Sequence, residues 1–203
     1  MSRRIAALVI AGISFGIGSA QAQDSPATPG SVEVTFTPAG AALFTSKGDS
    51  PSFGNYGFGT SVAFNLNRFV GIEGEIGTMI ATTSDLQFGD LSSDTKAPNM
   101  LNYTANLVVS LPTGTSIVPY ATGGVGGLTM FERPALGVFA DETFLTGNVG
   151  GGVKWYAPNG RWGLRGDYRF AATASKDDAP EFFGRETRYA HRIYAGVVIN
   201  AGR

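Results

Sequence analysis

Apolar and polar residues alternate with a period of two from Trp162 to Phe170, directly after a Pro-Asn-Gly turn at 158–160. One set of positions carries Trp, Leu, Tyr and Phe, whereas the other carries two arginines and an aspartate. Side chains on a strand point to opposite faces in turn, so this segment predicts a strand with one aromatic and one charged face. With the stretch from Phe144, it predicts a β-hairpin. Large aromatics near strand ends are typical of a lipid-facing surface.

The same alternation recurs along the chain. Six further strands are predicted at Val32–Thr37, Tyr56–Leu66, Val70–Gly77, Leu101–Leu111, Ser116–Met130 and Tyr189–Asn200. In the fifth strand of the chain, glycines and Pro119 leave the inward-facing side undecided. Long connections at 47–54, 82–98, 131–142 and 174–187 alternate with tight turns. This order predicts an all-β fold, an eight-stranded antiparallel up-and-down transmembrane β-barrel with its long loops outside the cell.

The N-terminal residues have the pattern of a signal peptide. Two arginines precede an apolar run from Ile5 to Ile17, and Ala20-Gln21-Ala22 is a small-residue cleavage motif. The alternative is an N-terminal membrane anchor, but the run contains glycine and is shorter than the roughly 20 residues of a spanning helix. We therefore expect a signal peptide at 1–22 and an outer-membrane β-barrel domain at 23–203.

Composition narrows the possible functions. The chain of 203 residues fits one domain, and its 29 glycines with only 15% charged residues suit short turns and strands better than helices. A formal net charge of −1 offers no basic surface for nucleic acid, so no nucleic-acid partner is expected. Cysteine is absent, which excludes disulfides and thiolate metal sites, and we expect no cofactor.

Two segments resemble a known family. The hairpin NVGGGVKWYAPNGRWGLRGDYRF and the final YAGVVINA are similar to the small eight-stranded outer-membrane barrels of the OmpA/OmpX and opacity-protein type, a porin family with an outer membrane protein beta-barrel domain. The resemblance covers essentially the whole chain after the leader. Ala201 stands where such proteins usually end on an aromatic residue. The resemblance implies a monomer in the bacterial outer membrane. Its partners would be the membrane lipids, the barrel assembly machinery during biogenesis, and an extracellular ligand at the loops.

Charged residues should meet inside this barrel. The face assignment sends four acids and four bases inward: Glu33, Glu73, Glu75, Lys154, Arg165, Asp167, Arg169 and Arg192. An eight-stranded barrel is only wide enough inside for side chains to pack, so we predict an ion-pair network that plugs the lumen. The alternative is a gated pore lined by the same residues, which would make the protein a small-solute porin.

Aromatic residues near predicted strand ends should form two girdles at the membrane interfaces. These residues are Tyr56, Phe64, Phe69, Tyr103, Trp155, Trp162, Tyr168 and Tyr189. Such outward bands disfavour the remaining fold alternative, a soluble periplasmic barrel of lipocalin type.

Catalysis has two weak candidates in the sequence. Glu73 and Glu75 are a close carboxylate pair on one strand face, but inward arginines should keep them ionised and inert. His191 is the only imidazole, and lipid A deacylases among outer-membrane barrels carry a His-x-Ser pair, whereas Ile193 stands here at the serine position. A lone histidine without a paired nucleophile predicts no catalytic site. We expect a structural or surface-interacting, adhesin-like protein and no enzyme.

Overall fold

The computed structural model describes residues 28–48, 50–88 and 91–201, with the side chains of 83–95 excepted. The expected signal peptide at 1–22 lies outside these residues. The described strands are β1 Val32–Phe44, β2 Phe53–Asn65, β3 Val70–Ala81, β4 Thr83–Phe88, β5 Leu91–Lys96, β6 Met100–Ser110, β7 Ile117–Met130, β8 Glu142–Tyr156, β9 Trp162–Thr173 and β10 Arg188–Asn200. A single 3-10 turn, Pro134–Leu136, is the helical element of this part of the chain. None of its helices is long and apolar enough to cross a membrane.

Eight strands close into a barrel in the order β1, β10, β9, β8, β7, β6, β3, β2. Every neighbouring pair is antiparallel, and β1 closes the ring because it pairs with both β2 and β10. The predicted eight-stranded antiparallel up-and-down barrel is therefore confirmed. The segment 82–98, predicted as a loop, instead contains the separate two-stranded hairpin of β4 and β5.

Connections differ in length at the two ends of the barrel. Residues 66–69, 111–116 and 157–161 make the short turns at one end, which we call the short-turn end. The long connections 45–52, 82–99, 131–141 and 174–187 meet at the opposite long-loop end. In the 157–161 turn only Gly160 takes a positive φ, of 63°, whereas Asn159 uses its side-chain oxygen to accept the backbone N–H of Arg161 at 3.1 Å.

A β-bulge interrupts β1 near its middle. The pairing of β1 shifts between Phe36 and Ala39 against β10, and at almost the same place against β2. Pro38 lies in this irregular stretch, where its missing N–H interrupts no ladder hydrogen bond, and its carbonyl accepts the hydroxyl of Tyr56. One extra residue reverses the facing of everything after it, so Phe36 faces outward whereas Phe44 is buried inside.

The facing of β7, undecided in the sequence, is clear in the structure. Val118, Tyr120 and Thr122 are buried in the interior, and Ile117 and Val125 are exposed on the outer wall. The outer wall as a whole carries exposed aliphatic and aromatic side chains on all eight barrel strands, as a lipid-facing surface requires.

The barrel interior changes from polar to apolar toward the long-loop end. There the inward positions carry large apolar side chains, which pack with two phenylalanines of the 174–187 connection. We call this cluster the apolar cap; its larger members are Phe44, Phe53, Met79, Met100, Leu128, Met130, Phe144, Phe182 and Phe183. Phe182 and Phe183 are 1% and 0% exposed. The expectation that the 174–187 loop is displayed outside is therefore wrong for its centre, because these two rings fold into the barrel mouth.

Inward glycines on β8 make room for large side chains from β9. A Cβ added at Gly152 would lie 2.2 Å from the backbone oxygen of Gly166 and 2.6 Å from the hydroxyl of Tyr120. A Cβ at Gly150 would lie 2.0 Å from the backbone oxygen of Tyr168. Real Cβ atoms do not approach other atoms this closely, so both positions require glycine.

We predict that Gly152→Ala destabilises the barrel by about 1–3 kcal/mol, because the new methyl group collides with the wall and with Tyr120. Gly166→Ala is the matched control: it lies on the paired strand and faces outward, with nothing within 4 Å of an added Cβ. Urea unfolding in lipid vesicles, followed by heat-modifiable gel mobility, measures both variants. Equal midpoints for the two would show that β8 has no such close approach.

Candidate functional site

At the short-turn end, a buried acid–base pair bridges distant strands. Glu33 of β1 forms an ion pair with Lys154 of β8, and both side chains are almost inaccessible. The other carboxylate oxygen of Glu33 accepts the hydroxyl of Tyr156 at 2.9 Å and the side-chain amide of Asn65 at 3.1 Å. Each oxygen of this buried carboxylate therefore has a partner, which its desolvation requires.

The middle of the lumen holds a cluster that crosses the barrel. Glu73 of β3 pairs with both Arg165 and Arg169 of β9, the latter with an N–O distance of 3.0 Å. In the ring of eight strands β3 and β9 lie directly opposite each other. Asp167, between the two arginines in sequence, accepts from them at 2.8 and 3.0 Å and from the hydroxyl of Tyr120 at 2.8 Å. These contacts span the full diameter of the barrel.

Toward the long-loop end, Glu75 continues the network. Its two oxygens lie 2.7 Å from Arg169 and 2.7 Å from Arg192. Arg192 also donates to the side-chain oxygen of Asn102 at 2.8 Å. The structure thus brings all eight inward charges of the sequence prediction into ion pairs. We call these eight residues the lumenal network.

Shared partners join six of the eight residues of the lumenal network, whereas Glu33 and Lys154 form a separate ion pair. Arg169 contacts three carboxylates, those of Glu73, Glu75 and Asp167, so the central and upper clusters are one unit. Uncharged side chains provide further hydrogen bonds to the charged groups: Ser61 donates to Glu73 at 3.1 Å, and Arg165 donates through Nε to Tyr120 at 2.7 Å. A buried network of this kind rigidifies a structure when nearly every member is satisfied.

A small cavity lies beside the network. It has a volume of about 30 Å³ and lies between Glu75, Arg169 and the ring of Tyr194, against a wall of glycines at positions 57, 59, 77 and 196. By size it has room for about two water molecules. This cavity is too small to form a path for a solute.

The aromatic residues chosen from the sequence all face outward. Phe64, Phe69, Trp155 and Trp162 lie at the short-turn end, and Tyr56, Tyr103, Tyr168 and Tyr189 lie toward the long-loop end. The two indole rings contact each other edge to face, with centroids 5.8 Å apart. Two bands at opposite ends are the arrangement of interfacial girdles.

The two catalytic candidates sit in inert surroundings. The carboxylates of Glu73 and Glu75 are occupied by arginines, as described above. His191 lies on the outer wall, where its Nδ1 is 2.7 Å from the hydroxyl of Tyr168 and its ring packs against Phe170. Among the described residues, no group of three or more histidines or acids could hold a metal ion.

Sequence reasoning missed Arg188 and the apolar cap. Arg188 begins β10, is 1% exposed, and donates through Nη2 to the backbone oxygen of Pro51 at 2.6 Å. Its guanidinium lies 5.8 Å from the ring centroid of Phe53 and 5.7 Å from that of Phe183. Two signals in the sequence could have found this site: a Phe-Phe pair within a charged loop, and apolar residues at inward positions next to the long loops.

The 174–187 loop that carries this Phe-Phe pair is held at the rim by two ion pairs. Lys176 pairs with the half-buried Glu142, and Lys47 of the 45–52 connection pairs with Glu186 at 3.5 Å. The hydrogen bond to Glu142 holds the pKa of the Lys176 amino group above its usual value. The Lys47–Glu186 pair is exposed, and a contact of this kind contributes little to stability.

A comparison with protein families decides the classification. Residues 6–200 match the model of the outer membrane protein beta-barrel domain. The chain belongs to this family. It is therefore an outer-membrane barrel of a bacterial cell. No protein of curated function matches the chain.

Solved structures agree on the fold. Neisserial surface protein A is 15% identical over 83% of this chain and 95% of its own, with a TM-score of 0.57. OprG of Pseudomonas aeruginosa is 15% identical over 89% and 100%, with a TM-score of 0.56. Ail, the attachment invasion locus protein of Yersinia pestis solved with the heparin analogue sucrose octasulfate, is 14% identical over 85% and 99%, with a TM-score of 0.53. At such identities the likeness shows a shared barrel fold.

We predict that Glu73→Gln lowers the free energy of unfolding by about 3–5 kcal/mol, because two buried arginines lose their shared counter-charge. Adding Arg165→Gln should restore part of this loss, since the surplus positive charge is removed with it. Urea unfolding of both single variants and the double variant measures the coupling.

Glu186→Gln is the control for this cycle, because the same chemical change then falls on an exposed pair. We expect it to alter the free energy of unfolding by less than about 1 kcal/mol. Similar small effects at Glu73 and Glu186 would mean that the lumen is water-filled and that the network is solvated.

Proposed function

We propose that the protein is a closed outer-membrane barrel that acts through the surface of its long-loop end and conducts no solutes. The observation that carries this proposal is the contact of Glu73 with Arg165 and Arg169 across the whole diameter of the lumen. A solute would have to break several buried ion pairs at once to pass this point.

A second barrier lies in series with the first. Above the network, the apolar cap fills the barrel mouth with stacked rings; Phe144 and Phe183 have centroids 4.5 Å apart and Phe44 and Phe53 4.6 Å. An ion that entered from the loops would meet this largely apolar layer before it reached the lumenal network. Together, the lumenal network and the apolar cap favour a plugged barrel rather than an open pore.

The long-loop end is the surface left for interaction. It presents the β4–β5 hairpin and the 131–141 connection, where Phe139 is 78% exposed. Outer-membrane barrels place such loops outside the cell, and binding residues are commonly carried on loops of a rigid scaffold. The structure of Ail with a heparin analogue is an example of a similar barrel that binds an external ligand. Because this chain also presents long loops on a rigid barrel, we propose that it has an adhesin-like role and acts as a monomer.

We propose no catalytic role. The outward His191 lies beside aromatic rings and a tyrosine hydroxyl on the lipid-facing wall, which is the environment of an interfacial girdle. The inner carboxylates, in turn, are held by arginines and have no access to a substrate.

We predict that the purified protein gives no steady conductance in planar bilayers. The variant Phe182→Ala/Phe183→Ala should stay closed as well, because the lumenal network below the cap is intact. Labelled protein recovered from the bilayer, with heat-modifiable mobility, controls for insertion. Steady currents whose selectivity shifts toward anions in Glu75→Gln would instead identify a pore lined by the network.

A loop replacement tests the surface role. Strands β7 and β8 stay paired up to Met130 and Glu142, so an Asn-Gly turn can replace 131–141 while these strands remain paired. The replacement also removes Val138, which is buried in the apolar cluster, so heat-modifiable mobility is used to check that the shortened variant is folded. We expect the wild-type protein in nanodiscs to bind a component of a matrix-protein and glycan array, and the shortened variant to lose that binding. A matched variant with the 111–116 turn replaced should bind as wild type. Failure of the wild-type protein to bind any component, or equal binding by all three proteins, would contradict the role proposed for the loops.

A further inference from the structure

Arg188 differs from every other buried cation of the described chain. Lys154, Arg165, Arg169 and Arg192 each contact a carboxylate. Arg188 is as deeply buried, yet no described carboxylate lies within ion-pair distance of it, and its Nε and Nη1 have no hydrogen-bond acceptor. A buried guanidinium with two unused donors is a strong site for an anion that is not part of the described chain.

The surroundings of Arg188 specify what else that anion must carry. Its guanidinium lies against the rings of Phe53 and Phe183, inside the apolar cap. The walls above the network are formed by methionine, leucine and phenylalanine side chains. A site with one cation in an otherwise apolar enclosure favours a ligand with one anionic group and a long apolar part.

Two side chains of the protein itself fill the apolar part of this enclosure. Phe182 and Phe183 enter it from the 174–187 loop, and Phe182 stacks on Phe53 with centroids 4.9 Å apart. The polar contacts between this loop and its neighbours include ion pairs at Lys176 and Glu186, a 2.9 Å hydrogen bond from the backbone N–H of Ala174 to Leu145, and a 3.4 Å hydrogen bond from Ser50 to the backbone of Glu181. None of these contacts is a fully buried ion pair, so the loop can lift and withdraw the two rings from the enclosure at a smaller cost than breaking the lumenal network.

We propose that Arg188 and the apolar cap form a binding site for a single-chain amphiphile with a carboxylate head. The head accepts hydrogen bonds from Nε and Nη1 of Arg188, and the alkyl tail takes the volume that Phe182 and Phe183 vacate when the loop lifts. The lumenal network closes the site from below, so the ligand binds at the barrel mouth and does not pass through. Val138 of the 131–141 loop packs in the same apolar cluster, but octanoate binding and loop-dependent binding are measured separately, so each proposal can fail without the other.

Octanoate is a suitable probe, because its tail is long enough for the cap and its partition into lipid is weak. Binding of carboxyl-labelled ¹³C-octanoate is measured by NMR with the full chain in phosphatidylcholine nanodiscs, and empty nanodiscs give the background. We expect Phe182→Ala/Phe183→Ala to bind octanoate about tenfold or more tighter than wild type, since the internal wedge no longer competes. Octanol, which has the same tail without the charge, should bind this variant less tightly than octanoate.

The head contact is tested by adding Arg188→Gln to the Phe182→Ala/Phe183→Ala variant. This change should weaken octanoate binding about tenfold or more and leave octanol binding unchanged, whereas Arg188→Lys should retain part of the octanoate affinity. Arg185→Gln is the matched control, an exposed arginine of the same loop, and should change neither ligand. Heat-modifiable mobility verifies that each variant is folded.

Three results would overturn the proposal. They are the absence of saturable octanoate binding to Phe182→Ala/Phe183→Ala, equal affinity of that variant for octanoate and octanol, and unchanged octanoate affinity after Arg188→Gln. If Arg188→Gln does not fold, the comparison of octanoate with octanol on the parent variant still decides the matter.

Discussion

The structure depends on the ion pairs that Glu73 makes with Arg165 and Arg169 across the barrel. A strand interacts through its backbone only with its two neighbours, so pairing alone makes no contact across the lumen. The contact between β3 and β9 joins opposite walls directly, and Arg169 extends it to Glu75 and Asp167. Because the charges are buried, their partners must stay in place, and strand number and ion pairs must be compatible with the same barrel diameter.

Glycines on the neighbouring strand β8 make room for these long side chains. Gly150 and Gly152 on β8 leave no room for a Cβ beside Arg169 and Tyr120. The polar lumen therefore contains large charged residues on β9 and none on the facing positions of central β8. This division explains why so glycine-rich a chain can still fill its interior.

Much of the barrel could be predicted from the sequence because the period of two is local. The alternation around Arg165 and Arg169 gave the facing of β9, and the balance of inward acids and bases pointed to a network. The bulge in β1 could not be predicted, because one extra residue at Pro38 reverses the facing of Phe44 only through pairing with two other strands. Loop burial at Phe182 and the lack of a carboxylate beside Arg188 depend on contacts between segments far apart in the chain; the Phe-Phe pair is a local signal of burial, but it does not show which residues surround it.

The order of charges along the chain has a consequence for assembly. Three of the four acids of the lumenal network, Glu33, Glu73 and Glu75, belong to β1 and β3, whereas all four of its bases belong to the last three barrel strands. A partly synthesised or truncated chain would hold an interior of one sign, with no counter-charge available from its own strands. Only the complete set of strands neutralises the lumen, so the network can form only when the last three strands have joined the ring.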